Sequence, residues 1–583
     1  MSRLAARRFN CCASRRTLTS AAALISTRRP RALHAAGKHD RNQDGRRSYA
    51  SASVNANIAV LGGGLTGLTT AYYLAKKLPS TANITLYESS DRLGGWVRTE
   101  RHPVNVGGKR GTVLFERGPR SMTSLHGNFW RYDDLVLYDL CLDLGLRFQT
   151  PPVLPRYIYY PDHLVPLPPH ISIFDIFREP LFTQNIPAAM VMFFNKMFKA
   201  NDPSKIPNND ISISDWMHEL TSSRHAAGTM ASAMVHGIYG GDIEKLSARS
   251  VFDRFFWNWY LPEPGFGRRN MPLVETEILK TLGRDKQIQQ MALKPKGALI
   301  DFGEAGMQSL TDALAAVLKE QSNVTIKLNS PVASIRHDTV KDRVQVASKH
   351  KDQRPESYHK VISTITAQDL ASAANGSLQT LAKSESVDIM TVNLWFPEEN
   401  IKPPGTGYLI PGTVWPEVNP EHVLGVFFDS DVQARGPDEP AGTKLFVLMG
   451  GHYYKRPGAS PPSEEEAIRQ ARAVLERHLG IARDMPCHAV ARLAKNCIPQ
   501  HYVGHQERMV EAHRELRDAY NGRLAVAGGS YTRIGTVAAL RAAYDIATHM
   551  TQDNWLEVTG IDDIASGAFS FTTLAEDEVP VRL

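Results

Sequence analysis

Three glycines in one short stretch, Gly62, Gly64 and Gly67 of "NIAVLGGGLTGLTTAYYLAKKL", have the spacing by which a chain lays its backbone against a pyrophosphate. Gly62 permits a sharp turn, Gly64 admits the pyrophosphate to the main chain, and Gly67 lets the next helix pack on the strand. Gly63, Leu65 and Thr66 complete the turn. The N–H groups that open the helix lack intrahelical partners and carry partial positive charge, which suits a diphosphate. Glu88 ends "NITLYE", 21 residues beyond Gly67. A carboxylate there accepts hydrogen bonds from ribose hydroxyls and repels a 2′-phosphate, which disfavours NADP.

The residues that follow choose between the remaining dinucleotides. "ESSDRLGGWVRT" places Ser89, Arg92, Gly94, Gly95 and Trp96 directly after the acidic strand end. An NAD site does not need this second glycine pair; it resembles the one in amine-oxidase-like FAD proteins, which implies backbone and a basic residue along an extended FAD pyrophosphate. A further strand, turn and helix in "GRLAVAGGSYTRIGTVAALRAAYDIATHM" can aim N–H groups at the pyrimidine edge of a flavin, where reduction places negative charge. No second GxGxxG is available for a nicotinamide, so the electrons are expected to leave to oxygen or another direct acceptor.

Several elements must bring these pieces together. Residues 54–99 read as strand, turn, helix, strand, and residues 133–147 as a helix ending near Gly145. Residues 170–260 are apolar, aromatic and mostly helical in pattern. An α/β pattern returns at 296–346, antiparallel strands at 388–450 and an amphipathic helix at 463–480. The expected fold is mixed α/β: a Rossmann-like FAD-binding domain assembled from 54–122, 296–370 and 515–560. Residues 241–295 and 371–514 are expected to form a mixed-sheet substrate domain, and 123–240 a helical, membrane-associated insertion.

Composition narrows the partners. The formal charge of +7 comes from the first 49 residues, where eleven Arg and one Lys face only Asp40 and Asp44. That surplus exceeds the charge of the whole chain, so the remainder is mildly acidic and no nucleic-acid footprint is left. Rich in Arg, Ser and Ala, residues 1–49 have the composition of a mitochondrial transit peptide, and "RRSYAS" resembles a matrix-protease site. Cys141, Cys487 and Cys497 are scattered, so neither a disulfide framework nor a metal site is expected. No apolar run reaches the ~20 residues that span a bilayer. "IPAAMVMFFNKMF" is the longest, which points to peripheral contact.

Taken in order, "LGGGLTGL", "YESSDRLGGWVRT", "FERGPRSM", "HGIYGGDIEKLSARS", "GEAGMQSLTDAL" and "NCIPQHYVGH" resemble the protoporphyrinogen oxidase family of amine-oxidase-like flavoproteins, over nearly all of residues 56–550. The resemblance implies non-covalent FAD held by Gly62, Gly63, Gly64, Leu65, Thr66, Gly67, Glu88, Ser89, Trp96, Gly118, Pro119, Arg120, Ser121 and the backbone of Val332. It implies that Ile534, Gly535 and Thr536 face the isoalloxazine and that Arg120 organises the flavin site. Arg156 in "LPRYIYY" corresponds to the family's propionate-binding Arg. Leu409 and Phe428 correspond to positions flanking the macrocycle, and Gly240 and Gly241 to carbonyls near the pyrrole N–H groups.

The implied reaction oxidises protoporphyrinogen IX to protoporphyrin IX by hydride transfer to FAD. Six electrons leave in three rounds, with oxygen as acceptor and hydrogen peroxide as product, at the penultimate step of haem synthesis. No general base is evident in the sequence, and His501 and His505 read as residues that order a flavin-side loop. Arg533 and Arg541 are bulkier and more charged than expected around the C-terminal turn. The family adds the inner mitochondrial membrane as docking surface, ferrochelatase as candidate partner and a homodimer as candidate assembly. Alternative readings are an amine or polyamine oxidase, a carotenoid-desaturase-like flavoenzyme, or a flavin-binding scaffold without turnover.

Overall fold

The structure, a computed structural model, describes residues 55–125, 130–294, 299–349, 354–566 and 570–579. The transit-peptide expectation for residues 1–49 lies outside them. Short apolar runs make a five-stranded parallel sheet in the order Val324–Lys327, Asn83–Tyr87, Asn57–Leu61, Lys360–Ser363, Leu524–Val526. Parallel strands are buried on both faces, which is why "IAVL" and "ITLY" read as near-continuous apolar runs. On one face lie the helices Leu65–Lys77, Asp134–Asp143, Gln308–Glu320 and Thr536–His549. The other face packs against the helices Ala367–Ala373 and His505–Tyr520 and a three-stranded antiparallel sheet.

A second sheet of seven strands runs His488–Gln500, Glu385–Phe396, Thr443–Gly450, Val423–Phe427, Gly407–Leu409, Arg156–Tyr159, Leu164–Pro166. It is antiparallel except where Gly407–Leu409 meets Arg156–Tyr159. Helix Glu464–Leu479 buries one face, capped by Ser463 at its start and by the left-handed Gly480 at its end. Short helices between Ile213 and Tyr260 gather around Trp216, Phe256 and Trp257. No helix of the described residues is long and apolar enough to cross a membrane.

Packing redraws the expected boundaries. Helix Asp134–Asp143 and the apolar side chains Met271, Ile278, Leu279 and Ile288 belong to the core of the parallel sheet, not to an insertion or a substrate domain. Residues 156–166, expected in a helical insertion, form two strands of the long sheet. Residues 505–514 pack with the parallel sheet as well, through Met509 and Ala512. In each case the element goes where its apolar residues are covered rather than where its place in the chain suggests.

One buried amine ties late segments to the parallel sheet. Lys360 is fully buried, and its Nζ donates to the carbonyls of Gly522 at 2.6 Å, Val558 at 2.5 Å and Leu556 at 3.2 Å. Burial lowers its amine to about 7, with Asp562 acting in the opposite direction, and the three carbonyls accept its hydrogen bonds. Lys360→Met strands the carbonyls of Gly522 and Val558, each worth roughly 1–3 kcal/mol when left unpaired, while that of Leu556 keeps its Arg523 donor at 3.2 Å. Urea unfolding of the variant is expected to show a loss of about 2 kcal/mol or more.

Candidate active site

The glycine turn is built from backbone contacts that admit no side chain. The N–H of Gly62 donates to the Tyr87 carbonyl at 2.8 Å. A Cβ on Gly67 would stand 1.8 Å from the Gly62 carbonyl oxygen, so only glycine lets the helix approach. Gly64 caps the helix Leu65–Lys77 with no side-chain cap and no acid in the first turn, which leaves N–H groups facing outward. The second glycine pair lies directly against the first: Gly94 donates to the Gly63 carbonyl at 2.8 Å, and a Cβ on Gly95 would meet the Gly64 Cα at 3.0 Å.

Glu88 is half-buried beside this turn. Its Oε2 accepts the Gly63 N–H at 2.7 Å, and its Oε1 accepts the Ser90 N–H and hydroxyl at 2.8 and 2.7 Å. Ser89 is exposed next to it, with its hydroxyl 3.2 Å from the same carboxylate. The Ser330 N–H donates to the Glu88 carbonyl at 2.8 Å, which brings the segment before Val332 alongside. Arg92 braces the glycine pair through the carbonyls of Gly95 and Val97, both at 2.8 Å. Trp96 is exposed, under the Arg492 guanidinium at 5.3 Å from its ring centroid. Gly118 fits against Trp96, where a Cβ would stand 2.0 Å from the Trp96 carbonyl oxygen.

At the C-terminal turn, Gly528 lies against Thr66, and Gly535 caps the helix Thr536–His549 at a φ of 127°. Gly535 is exposed, nothing lies within 4 Å of where its Cβ would sit, and that helix also lacks a side-chain cap or an acid in its first turn. Ile534 and Thr536 flank it, half-buried. His501 and His505 stack at 3.6 Å behind the turn, and His501 Nε2 donates to the Gly529 carbonyl at 2.8 Å. Burial pushes His501 down to about 4 and His505 well below its usual value, so both are neutral buttresses.

The long sheet presents a row of in-register neighbours: Arg156, Gly407, Phe427, Phe446 and Asn393. The Arg120 guanidinium lies over the rings of Phe427 and Phe446, at 3.9 and 4.2 Å, and its Nε pairs with Asp429 at 3.2 Å. Pro119 and Ser121 flank it, half-buried. Arg156 is exposed near the edge of the same sheet, and Leu409 is wedged between Gly237 and Gly425.

Two expectations need correction. Phe428 is fully buried among Tyr408 and the core beneath helix Glu464–Leu479, so it cannot flank a macrocycle. The ring on the open face is Phe427, one residue earlier, because neighbours in a strand point to opposite faces. Gly240 and Gly241 are turn and packing residues. The Gly240 carbonyl accepts the His452 N–H at 2.7 Å, and a Cβ on Gly241 would meet Gln500 and Leu246 at 2.5 Å. Phe446 and Asp429 were not singled out from the sequence, and "LFVLM" is a continuous apolar run that does not show which residue meets Arg120.

The flavin containing amine oxidoreductase family matches residues 65–547. Protoporphyrinogen oxidase of Schizosaccharomyces pombe is 31% identical over 82% of this chain and 95% of its own length. The Homo sapiens protoporphyrinogen oxidase is 27% identical over 81% and 94%. The chain belongs to the flavin-containing amine oxidoreductase family. Within it, the chain groups with the protoporphyrinogen oxidases and is an FAD-dependent oxidoreductase. Two solved structures share the fold: a protein of Exiguobacterium sp. 255-15, with a TM-score of 0.62 and 21% identity over 85% of this chain and 98% of its own, and cyclohexylamine oxidase of Brevibacterium oxydans IH-35A, with 0.55 and 17% over 85% and 99%.

The residues present fit such a flavoenzyme. Two uncapped helix starts open through Gly64 and Gly535, with only Gly95 Cα at 3.8 Å from the Cβ position of Gly64. This flavoenzyme's hold on its cofactor should be sensitive to one methyl group. Gly67→Ala pushes the first helix off its strand, at a cost of roughly 1–3 kcal/mol. The variant is expected to purify with little flavin, read as the ratio of absorbance at 450 to 280 nm; full flavin content would refute the backbone cradle.

Proposed function

We propose that the protein oxidises protoporphyrinogen IX to protoporphyrin IX, with oxygen as acceptor, at the penultimate step of haem synthesis. The observation that carries this reading is the similarity to a protoporphyrinogen oxidase over 95% of that enzyme's length. Bound non-covalently in the glycine cradle, FAD supplies hydride acceptance; three rounds consume three oxygen molecules and release three of hydrogen peroxide. The chain's own residues bind and orient. Helix starts at Gly64 and Gly535 meet negative charge, and Glu88 takes ribose hydroxyls. Half-buried Phe427, with the Arg120 guanidinium against it and the buried Phe446 as its neighbour in the sheet, offers an apolar ring to a flat macrocycle, and exposed Arg156 offers a cation to a propionate.

The reading extends to place. The basic, Ser- and Ala-rich leader supports delivery to the mitochondrion, where the protein would sit peripherally on the inner membrane. Helix Ile186–Lys199 buries only Ala188 and exposes Met190, Phe193, Phe194, Met197 and Phe198, with Lys196 and Lys199 in its last turn. Ile173, Phe174 and Phe177 are exposed just before it. Apolar rings with flanking lysines suit an anionic lipid surface. Ferrochelatase remains the candidate recipient of the product, and a homodimer the candidate assembly.

Mixed anaerobically with protoporphyrinogen IX, the purified protein is expected to lose its flavin absorbance. Admitting air should restore it and produce fluorescent protoporphyrin. Bleaching by a polyamine instead would establish the amine-oxidase reading, and bleaching by no substrate the scaffold reading. Arg156→Ala is expected to raise KM about tenfold, the scale of one charge-assisted hydrogen bond, with FAD content unchanged. Flotation with cardiolipin-containing vesicles tests the docking helix. Replacing Phe193, Phe194 and Phe198 together by Ser should cut binding at least tenfold, and unchanged flotation would remove that helix from the contact.

A further inference from the structure

Arg533 and Arg541 enter a cluster that joins the C-terminal turn to two helices from elsewhere in the chain. Arg533 Nη2 donates to Asp133 Oδ1 at 2.8 Å, and Asp133, 3% exposed, stands at the start of helix Asp134–Asp143. Arg541 Nη1 lies 3.5 Å from the same Asp133 oxygen and donates to Glu275 Oε2 at 2.9 Å. Glu275 opens the helix Glu275–Lys280, is fully buried, and accepts the Tyr132 N–H at 3.0 Å through the same oxygen. Asp545, one helical turn beyond Arg541, accepts from its Nε at 2.8 Å. Burial works against the Arg541 cation, but Asp545, Glu275 and Asp133 outweigh it and hold it protonated.

The two arginines are placed differently. Arg541 is 3% exposed and already serves Glu275 and Asp545 within the core. The Arg533 side chain is 23% exposed, makes its close contact with Asp133 alone, and lies 3.8 Å from Glu275 with Nη1, which has no hydrogen-bond partner. Upstream, the turn is fixed by the Tyr531 hydroxyl, which donates to the Ile365 carbonyl at 2.9 Å. Downstream, Gly535 is exposed with open space around it. Between those points the Arg533–Asp133 contact ties the turn to another element.

We propose that Arg533 and Asp133 are positioning residues that latch the Ile534–Gly535–Thr536 turn at a set distance from the flavin ring and thereby tune its affinity and potential. The proposal rests on the reading that this turn faces the flavin. A guanidinium in a buried acid's hydrogen-bond reach fixes direction as well as distance, which a single ammonium does less well.

Arg533→Met and Arg533→Lys, prepared as FAD-loaded proteins, test the latch. The readouts are the FAD dissociation constant, the visible flavin spectrum and the midpoint potential, each beside the thermal midpoint. Arg533→Met is expected to weaken FAD at least tenfold and to shift both spectrum and potential, with Arg533→Lys in between. A contact that is only structural would lower the thermal midpoint and leave the spectrum and potential of the bound flavin as in the parent. That result would overturn the latch. Should Arg533→Met fail to fold, Arg533→Lys decides alone: a threefold or greater weakening is expected, and parent-like affinity and spectrum would overturn it. Gly535→Val separates the underlying reading. If it perturbs the flavin while the Arg533 variants do not, the latch fails and the turn's placement stands. If neither perturbs it, the turn does not face the flavin, and the latch fails with that placement.

Discussion

The approach of Gly67 to the carbonyl of Gly62 is the contact on which the rest of the arrangement depends. No side chain fits between Gly67 and the Gly62 carbonyl at that distance, so main chain meets main chain there, while Leu68 and Leu74 of the first helix share a core with Ile58 and Val60 of the first strand. The helix's free N–H groups are then aimed at the space between the two glycine pairs. The cradle can be this close only because Gly94 and Gly95 also lack side chains where they meet Gly63 and Gly64. Strands from residues 324–327, 360–363 and 524–526 then complete a sheet that covers both sides of the first strand. A parallel sheet has no stable form with an open face, which is why distant stretches of chain must return to it.

Four consecutive residues join this sheet to the other one. Arg117 donates to Asn393 Oδ1 at 2.6 Å and to the carbonyls of Ala491 and Val490, all on the long sheet. Gly118 abuts the carbonyl of Trp96, part of the cradle. Arg120 lies on Phe427 and Phe446. A stretch this short has little freedom to let the cofactor turn and the aromatic face drift apart. Guanidinium suits both ends of it, since the plane stacks on rings while its edge meets carbonyls or a carboxylate.

Legibility followed the range of the interaction. The glycine turn, Glu88, the amphipathic helix at 463–480 and the final strand–turn–helix are local patterns, and each stands where the sequence reads it. Phe428 failed for a local reason. A bulge between Val423 and Gly425 shifts the pairing of that strand, and adjacent Phe residues give no sign of which one faces the core. Gly240 and Gly241 failed because their neighbours, His452, Gln500 and Leu246, are set by tertiary packing. The core partners of residues 134–143 and 271–288 were hidden too, since an apolar segment does not name the surface that covers it.

Arg533 and Arg541 show the same limit from the charge side. In the sequence they stand out only as bulky cations beside a cofactor turn, with no acid within three residues on either side. Their main partners, Asp133 and Glu275, lie more than 250 residues away and are buried. A buried acid is stable as an ion only when a cation reaches it, so the acids and the arginines account for one another. The neutral pair His501 and His505 follows the opposite rule: burial without an acid strips their charge and leaves them to shape. Around the C-terminal turn, the charged contacts set direction and the neutral ones fill space, a division suited to a site whose chemistry depends on how a cofactor and a flat substrate are held.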